Sequence, residues 1–198
     1  MTENILVLDL ETKTIFGDHS DRRPESLGVS VVGTYCYRSD TYRIYDEAEI
    51  GALEHRLSDK PLVVGFNIRR FDMPVLKPYL HFDPAALPML DILEIIHGIL
   101  GHRVSLESIA QATLGAGKSG TGLDAVEYYR TGAMDKLRQY CLDDVKVTRQ
   151  IFEYGAEHHE LFYLKKFDRS KARVPVAWEV AHPDATSAEA AQIGLFTV

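Results

Sequence analysis

Carboxylates in three separate stretches of the chain have the types and spacing to bind divalent metal ions. Asp9 and Glu11 stand two positions apart at the far end of an apolar run, so on a β-strand both side chains project from the same face. Two like charges held that close and away from bulk water need a compensating cation, and carboxylate oxygens suit Mg²⁺ or Mn²⁺ better than Zn²⁺. Chance alone predicts about one Asp-x-Glu in a chain of this length, so the pair gains weight only from its partners downstream.

Those partners are one acidic residue after a second apolar stretch and one on a helix. Asp72 closely follows the apolar stretch that ends at Asn67, and Asp144 lies four positions after Tyr140. Positions four apart share one face of a helix, so a phenol and a carboxylate are expected on the buried stripe of that helix. Asp143 is about 100° further around the same helix and is expected to face outward.

The elements that must position these residues alternate between strands and helices. Ile5 to Leu8 is a run of four aliphatic residues, which suits a strand covered on both faces of a sheet. The further predicted elements are a hairpin over 27–45, a helix from Asp46 to Leu57, strands at 62–67 and 87–90, and helices at 92–100, 105–112, 124–130 and 133–155. This order predicts an α/β fold with a mixed central sheet of about five strands and helices on both faces. Asp91 is predicted to be the N-cap of the helix that follows it rather than a metal ligand.

Composition indicates one globular domain over residues 1–198, with residues 161–198 as a C-terminal extension whose structure the pattern does not predict. The chain has 198 residues, of which 45% are apolar and 26% charged, which is a core-forming composition. It has neither a run of about 20 apolar residues nor a basic N-terminal region, so we expect no membrane span, no signal peptide and a cytoplasmic location. Cys36 and Cys141 are too few for a disulfide framework and are expected to pack as small hydrophobic residues.

The net charge of −7 argues against a broad electrostatic surface for nucleic acid. It does not exclude nucleic acid as a partner, because active-site carboxylates contribute to that charge and bound divalent cations would reverse its sign locally. Basic residues are grouped in three places, namely Arg22 with Arg23, Arg69 and Arg70 with Lys77, and Lys165 and Lys166 with Lys171 and Arg173. Each group alone is predicted to be solvated surface.

Taken together, the polar positions resemble the three motifs of the DEDD superfamily of 3′-to-5′ exonucleases, in the subgroup that has Tyr in the third motif. The matching positions are Asp9-x-Glu11, Asn67-x3-Phe71-Asp72 and Tyr140-x3-Asp144. The sequences around them, Val64-Gly-Phe-Asn67 and Tyr140-Cys-Leu-Asp-Asp144-Val-x-x-Thr148, are most similar to a bacterial group related to the proofreading domain of family-B DNA polymerases. The resemblance covers residues 5–155 and implies an RNase H-like fold.

The resemblance implies hydrolysis of single-stranded nucleic acid with a free 3′ end, assisted by two Mg²⁺ or Mn²⁺ ions. In that arrangement Asp9, Glu11 and Asp144 hold one ion. Asp9 bridges to the second ion, which Asp72 supports through water, while Tyr140 and Glu11 orient the attacking water. DNA is the preferred substrate by this resemblance, and RNA remains an alternative because nothing in the motifs reads a 2′-hydroxyl. The expected substrate contacts are Leu10, Thr12, Asn67, Phe71 and, from the Gly-rich segment 114–122, Lys118.

Two other interpretations remain open. Residues 112–119 match a relaxed phosphate-binding loop in which Ala112 replaces the first Gly. A helix rather than a buried strand precedes this stretch, and no later apolar strand ends in the required Asp, so a nucleotide hydrolase is disfavoured. Because the net charge is acidic and no polymerase or helicase portion is evident, the chain could also be a catalytically silent module that binds nucleic acid or serves as a scaffold.

Overall fold

The protein folds around a five-stranded mixed sheet, in a computed structural model that describes residues 4–18, 20, 22–115 and 122–178. The strands are β1 Ile5–Thr12, β2 Val29–Cys36, β3 Thr41–Asp46, β4 Leu62–Gly65 and β5 Met89–Asp91. They lie side by side in the order β3-β2-β1-β4-β5. β2 runs antiparallel to β1 and β3, whereas β1, β4 and β5 are parallel. The predicted mixed sheet of about five strands is confirmed.

Six α-helices are present among the described residues. They are α1 Ile50–Ser58, α2 Asp72–Leu76, α3 Ile92–Leu100, α4 Leu106–Leu114, α5 Gly122–Arg130 and α6 Met134–His158. α1 begins later than the predicted Asp46, because a 3-10 turn at Glu47–Glu49 comes first and Asp46 and Glu49 cap it reciprocally. In the part of the chain that the structure describes, no helix is long and apolar enough to cross a bilayer.

β1 is the central strand, and its side chains are buried on both faces of the sheet. The odd-numbered Ile5 and Val7 belong to the core cluster that contains Val145 of α6. The even-numbered side chains, such as Leu8, belong to the cluster that contains Leu53 of α1. Helices on both faces thus explain why the strand is apolar at successive positions. The odd face of β1 is the one that α6 covers.

α6 approaches the sheet closely at β2 because Gly33 has no side chain. A Cβ at this position would lie 2.8 Å from Cγ2 of Val145 and 2.9 Å from Sγ of Cys141. Real side chains do not tolerate such separations, so any larger residue would push the helix away from the sheet. Gly33 pairs with Asp9 in the sheet, and the close approach therefore brings the middle of α6 next to the end of β1.

A hairpin follows α6, in a region for which the sequence predicts no element. β6 Glu160–Leu164 and β7 Lys171–Pro175 pair antiparallel as a separate two-stranded sheet. Leu161 of this hairpin joins the same core cluster as Phe152 of α6. The outer edge of β6 is covered by α4, where the hydroxyl groups of Ser108 and Thr113 each accept a hydrogen bond from a β6 N–H at 2.9 Å and donate one to a β6 carbonyl. These hydroxyls take the place of a neighbouring strand.

Trp178 packs the chain after β7 against α6. Its indole ring stacks on Phe152 with 6.2 Å between ring centroids and 13° between ring planes. The indole Nε1–H donates to the carbonyl of Phe152 at 3.1 Å. Gly155 makes room for the ring, because a Cβ there would overlap the indole. Trp178 and the buried residues of the hairpin are therefore part of the core around α6, whereas residues 165–171 are exposed.

Candidate active site

Three carboxylates meet where the end of β1 faces the middle of α6. Ligand oxygens of Asp9, Glu11 and Asp144 all lie within 4.8 Å of one another. Glu11 is 9% exposed and Asp144 is 5% exposed, while Asp9 is half-buried. Asp9 and Glu11 share the odd face of β1, and α6 covers that face, so the strand period and the helix position together create the group. We call these three residues the carboxylate cluster.

Cys141 lies directly against this cluster. Its Sγ is 3.5 Å from the carbonyl oxygen of Asp9 and 4.0 Å from Oδ2 of the same residue. Burial, followed by the negative charges of Asp9, Glu11 and Asp144, raises the pKa of the Cys141 thiol well above its usual value. The thiol is packed in the core as the sequence predicts, but its contact with Asp9 is new. Its position between Tyr140 and Asp144 on one helical face is the signal that points to that contact.

Tyr140 lies one helical turn before Asp144 on the same side of α6. The residue is 5% exposed and packs with Val31 of β2 and Ala125 of α5. It also lines an open depression of about 370 Å³ along α6, together with Asp143. Tyr140 is thus held by the core, and its hydroxyl oxygen is buried although another part of the residue lines the depression.

The neighbouring carboxylate of Asp143 does not belong to the cluster. Asp143 is half-buried and accepts a hydrogen bond from Nε2 of Gln139 at 2.9 Å. The helical rotation of about 100° between successive residues turns it away from Asp144. Two adjacent acids on one helix therefore have different surroundings, which makes Asp143 a natural control for Asp144.

Asp72 is buried beside β1 and is not one of the three residues whose oxygens lie within 4.8 Å. It opens α2, is 3% exposed, and its Oδ1 accepts the backbone N–H of Leu10 at 3.1 Å. Burial raises the pKa of the Asp72 carboxyl to about 7; backbone N–H donors oppose this rise and the charge of Asp91 adds to it. Leu10, a predicted substrate contact, has its side chain in the core at 4% exposure.

Asp91 fixes the segment between β4 and α2. Its carboxylate accepts the N–H of Glu94 at 3.2 Å, which confirms the predicted N-cap of α3. The same carboxylate accepts the N–H of Asn67 at 2.9 Å and that of Arg69 at 3.0 Å. Asn67 has a φ of +71°, a left-handed conformation that a strand does not contain, so β4 ends before the predicted Asn67. The side-chain oxygen of Asn67 accepts a hydrogen bond from Nη2 of Arg103 at 2.7 Å.

The remaining predicted substrate contacts lie in different surroundings. Phe71 is half-buried and meets Phe16 edge-to-face with 6.2 Å between ring centroids. Thr12 is 6% exposed and donates its hydroxyl to the carbonyl of Thr14 at 2.8 Å. Lys118 lies outside the described residues.

Comparisons with known proteins agree with this architecture. A family model described as the RNase H superfamily matches residues 6–155, which is more than half of the chain. Among solved structures, RNase D of Trypanosoma brucei is similar, with a TM-score of 0.58 at 16% sequence identity. That match covers 77% of this chain and 57% of the RNase D chain, so this chain spans little more than half of that chain's length. No curated protein sequence matches the chain.

The family match and the similar structure confirm the RNase H-like fold. The matched residues include most of β1 and most of α6, and with them every member of the carboxylate cluster. The likeness to RNase D, at 16% identity, shows the fold alone. On the family match, the chain belongs to the RNase H superfamily.

Proposed function

We propose that the chain is a metal-dependent 3′-to-5′ exonuclease of the subgroup with Tyr in the third motif, related to the proofreading domain of family-B DNA polymerases. Its substrate is single-stranded nucleic acid with a free 3′ end, DNA in preference to RNA, and its products are nucleoside 5′-monophosphates. The observation that carries this proposal is the carboxylate cluster, with all ligand oxygens within 4.8 Å, in a chain of the RNase H superfamily.

The residues of the cluster fit hard divalent cations such as Mg²⁺ or Mn²⁺. They offer only oxygen donors, and three negative charges this close and largely buried favour a cation as their partner. Asp9, Glu11 and Asp144 would hold one ion. Asp9, with Asp72 acting through water, would hold a second. Bound ions of this kind supply an activated water and stabilise the leaving alkoxide when a phosphodiester is hydrolysed.

The chain's own residues would place the water and the 3′-terminal nucleotide. Tyr140 lies one helical turn before Asp144 on the same side of α6, and its buried hydroxyl would hold the attacking water together with Glu11. Asn67, whose backbone is fixed by Asp91, and Phe71, half-buried near the start of α2, would contact the terminal nucleotide. In this scheme Tyr140 acts on the water and the carboxylates act on the ions.

The direct test is digestion of end-labelled DNA and RNA oligonucleotides with Mg²⁺ or Mn²⁺. We expect a ladder shortened from the 3′ end and free mononucleotides, with DNA cut faster than RNA. Asp9→Ala should abolish both products, and Asp143→Asn should leave them unchanged, because Asp143 lies outside the cluster. Long internal fragments as the first products would contradict an exonuclease. Faster cleavage of RNA would correct the substrate preference alone.

A catalytically silent binding module is the second candidate, and one observation favours it. Asp72 is not one of the carboxylates whose ligand oxygens lie within 4.8 Å of one another, and its Oδ1 accepts the backbone N–H of Leu10, so among the described residues only three of the four predicted acids form one group. If the purified protein binds oligonucleotides in the presence of metal but leaves them intact with Mg²⁺ and with Mn²⁺, this function replaces the first.

A further inference from the structure

The turn of the β6–β7 hairpin presents an exposed aromatic ring among basic side chains. Phe167 is 103% exposed, so its ring contributes nothing to the core. Lys165 and Lys166 precede it and Arg169 follows it, all of them exposed. Between residues 165 and 173, five residues are basic and one is acidic, in a chain whose net charge is −7. We call residues 165–170 the hairpin tip.

The hairpin tip is closed by its own hydrogen bonds. The N–H of Lys165 donates to the carbonyl of Ser170 at 2.9 Å, and the N–H of Arg169 donates to the carbonyl of Lys165 at 3.0 Å. The carboxylate of Asp168 accepts both the hydroxyl and the N–H of Ser170. The acidic group is therefore engaged inside the turn, and the ring of Phe167 is displayed on a backbone that is already ordered.

Other basic residues of the hairpin are used to build it. Arg173 pairs with Glu160 across the two strands. The Nζ of Lys171 lies 4.0 Å from the centroid of the Phe162 ring, in a cation–π contact. These contacts engage the side chains of Lys171 and Arg173. The ring of Phe167 and the two lysines before it face solvent.

We propose that the hairpin tip is a second binding site for single-stranded nucleic acid, in which a base stacks on Phe167 and the flanking phosphates contact Lys165 and Lys166. The identity of the ligand rests on the proposed function. Stacking on an aromatic ring beside cations is how proteins bind single strands without reading sequence, because every base has a π face and every nucleotide a phosphate. The hairpin tip has both parts of that arrangement and no group fixed for reading base edges.

The hairpin tip is a separate site from the carboxylate cluster. The cluster is formed by β1 and the middle of α6, whereas the hairpin tip lies in the turn between β6 and β7, which follow that helix in the chain. None of the residues of the hairpin tip belongs to the carboxylate cluster. The hairpin is firmly attached, since α4 covers the edge of β6.

Binding without turnover tests this proposal independently of catalysis. The probe is a fluorescent thymidine oligomer of about 20 nucleotides, longer than the site of one binding domain, measured by anisotropy in EDTA. The double variant Lys165→Glu/Lys166→Glu should bind it about tenfold or more weakly. The dependence of log affinity on log salt should become shallower by about 0.7 for each phosphate that the variant no longer neutralises. Phe167→Ala should weaken binding about fivefold or more, because a base can no longer stack there.

The matched control is Arg38→Glu/Lys60→Glu. It makes the same change of charge on exposed residues at the end of the sheet opposite the cluster, and it should bind like the wild type. Wild-type affinity in both hairpin variants, with melting temperatures unchanged, would overturn the proposal even if the protein is an active exonuclease. Conversely, weakened binding in these variants of a protein that never cleaves would uphold the hairpin tip and refute the exonuclease. Hairpin variants that lose affinity for phosphatidylserine vesicles but keep it for the oligomer would assign the tip to membranes and overturn the proposal.

Discussion

The carboxylate cluster holds negative charges in a largely buried site, whereas the hairpin tip exposes positive charges to solvent. The cluster joins residues from the first strand and the last long helix, and it holds them largely buried, so its charges depend on the packing of β1 against α6. The hairpin tip gathers its cations from neighbouring positions and exposes them to water, where each charge interacts weakly. A single substitution should therefore change chemistry by orders of magnitude in the cluster and change binding in modest steps at the tip.

The largest effect is expected from removing one charge of the cluster. Asp144→Asn keeps the shape of the side chain but weakens the hold on a divalent ion, so hydrolysis should fall by about 10³-fold, since a metal ion contributes several kcal/mol to the transition state. Titration calorimetry with Mn²⁺ should show the weaker affinity directly. Asp143→Asn changes the adjacent acid and should leave both measurements near wild type. Equal effects in the two variants would contradict this prediction, because membership of the carboxylate cluster would then make no difference to hydrolysis or to metal affinity.

A new charge tests the same contrast through stability. Val63 is 0% exposed in β4, so Val63→Asp places an uncompensated carboxylate in the core and should lower the free energy of unfolding by several kcal/mol. Phe167→Asp places the same group on a fully exposed position of the hairpin tip and should change stability by less than about 0.5 kcal/mol. Thermal unfolding followed by circular dichroism measures both. An unchanged melting temperature for Val63→Asp would mean that β4 is not covered on both faces.

Tyr140→Phe tests whether Tyr140 acts on the attacking water while the carboxylates act on the metal ions. The ring and its packing with Val31 are kept, and only the hydroxyl is removed, so hydrolysis should slow by about 10²-fold while folding is retained. The Mn²⁺ affinity should hardly change, because the phenol is assigned to the water and not to the ion. Tyr128→Phe, on the same depression along α6, should be close to wild type. A fall of metal affinity in Tyr140→Phe as severe as in Asp144→Asn would contradict that assignment.

Gly155→Ala tests how the hairpin region is attached. A Cβ at Gly155 would overlap the indole of Trp178, and relieving that overlap should cost about 2 kcal/mol of stability. Gly51→Ala is the matched control on helix α1, where a Cβ meets nothing within 4 Å and the substitution should be neutral or stabilising by up to about 1 kcal/mol. Chemical denaturation of both variants measures the difference. Equal stability would show that Trp178 does not pack against α6 as described.

The smallest effect concerns the two thiols. Burial would raise the pKa of Cys36, but hydrogen bonds from Ser39 and Arg56 outweigh it and lower that pKa to about 7. Alkylation of Cys36 by iodoacetamide should therefore accelerate as pH rises through about 7, where the thiolate becomes the major form. Cys141, beside the carboxylate cluster with a raised pKa, should react only after unfolding. Mass spectrometry of the modified peptides distinguishes the two, and early alkylation of Cys141 would mean that the cluster is open.

The sequence predicts β1 and α6 well because each has a strong local period. The run of aliphatic residues in β1 and the three- and four-residue steps in α6 are set by burial against each other, and α6 differs from the predicted 133–155 by only a few residues at its ends. The hairpin is not predictable in this way. β6 and β7 have five residues each, and the outer edge of β6 is bonded by the hydroxyls of Ser108 and Thr113, a contact that no local sequence pattern predicts.

The sequence also predicts one half of what Asp91 does. A residue before an apolar helix is recognisable as an N-cap, and the structure confirms that role. The second role, in which the same carboxylate holds the N–H groups of Asn67 and Arg69, depends on β4 and β5 lying side by side. A local sequence pattern does not show which loop from elsewhere in the chain will contact the side chain of an N-cap residue. For the same reason the contact of Cys141 with Asp9 follows from the register of α6 on β2, fixed by Gly33.

Trp178 is the only tryptophan of the chain. It is 5% exposed and packs against α6, where its ring stacks on Phe152. Indole fluorescence therefore reports a single place in the molecule, the junction between α6 and the chain that follows the hairpin. A red shift of the emission at a denaturant concentration below that at which helical structure disappears would reveal that this junction opens first. Indole emission thus monitors the C-terminal part of the same helix that supplies Asp144 to the cluster.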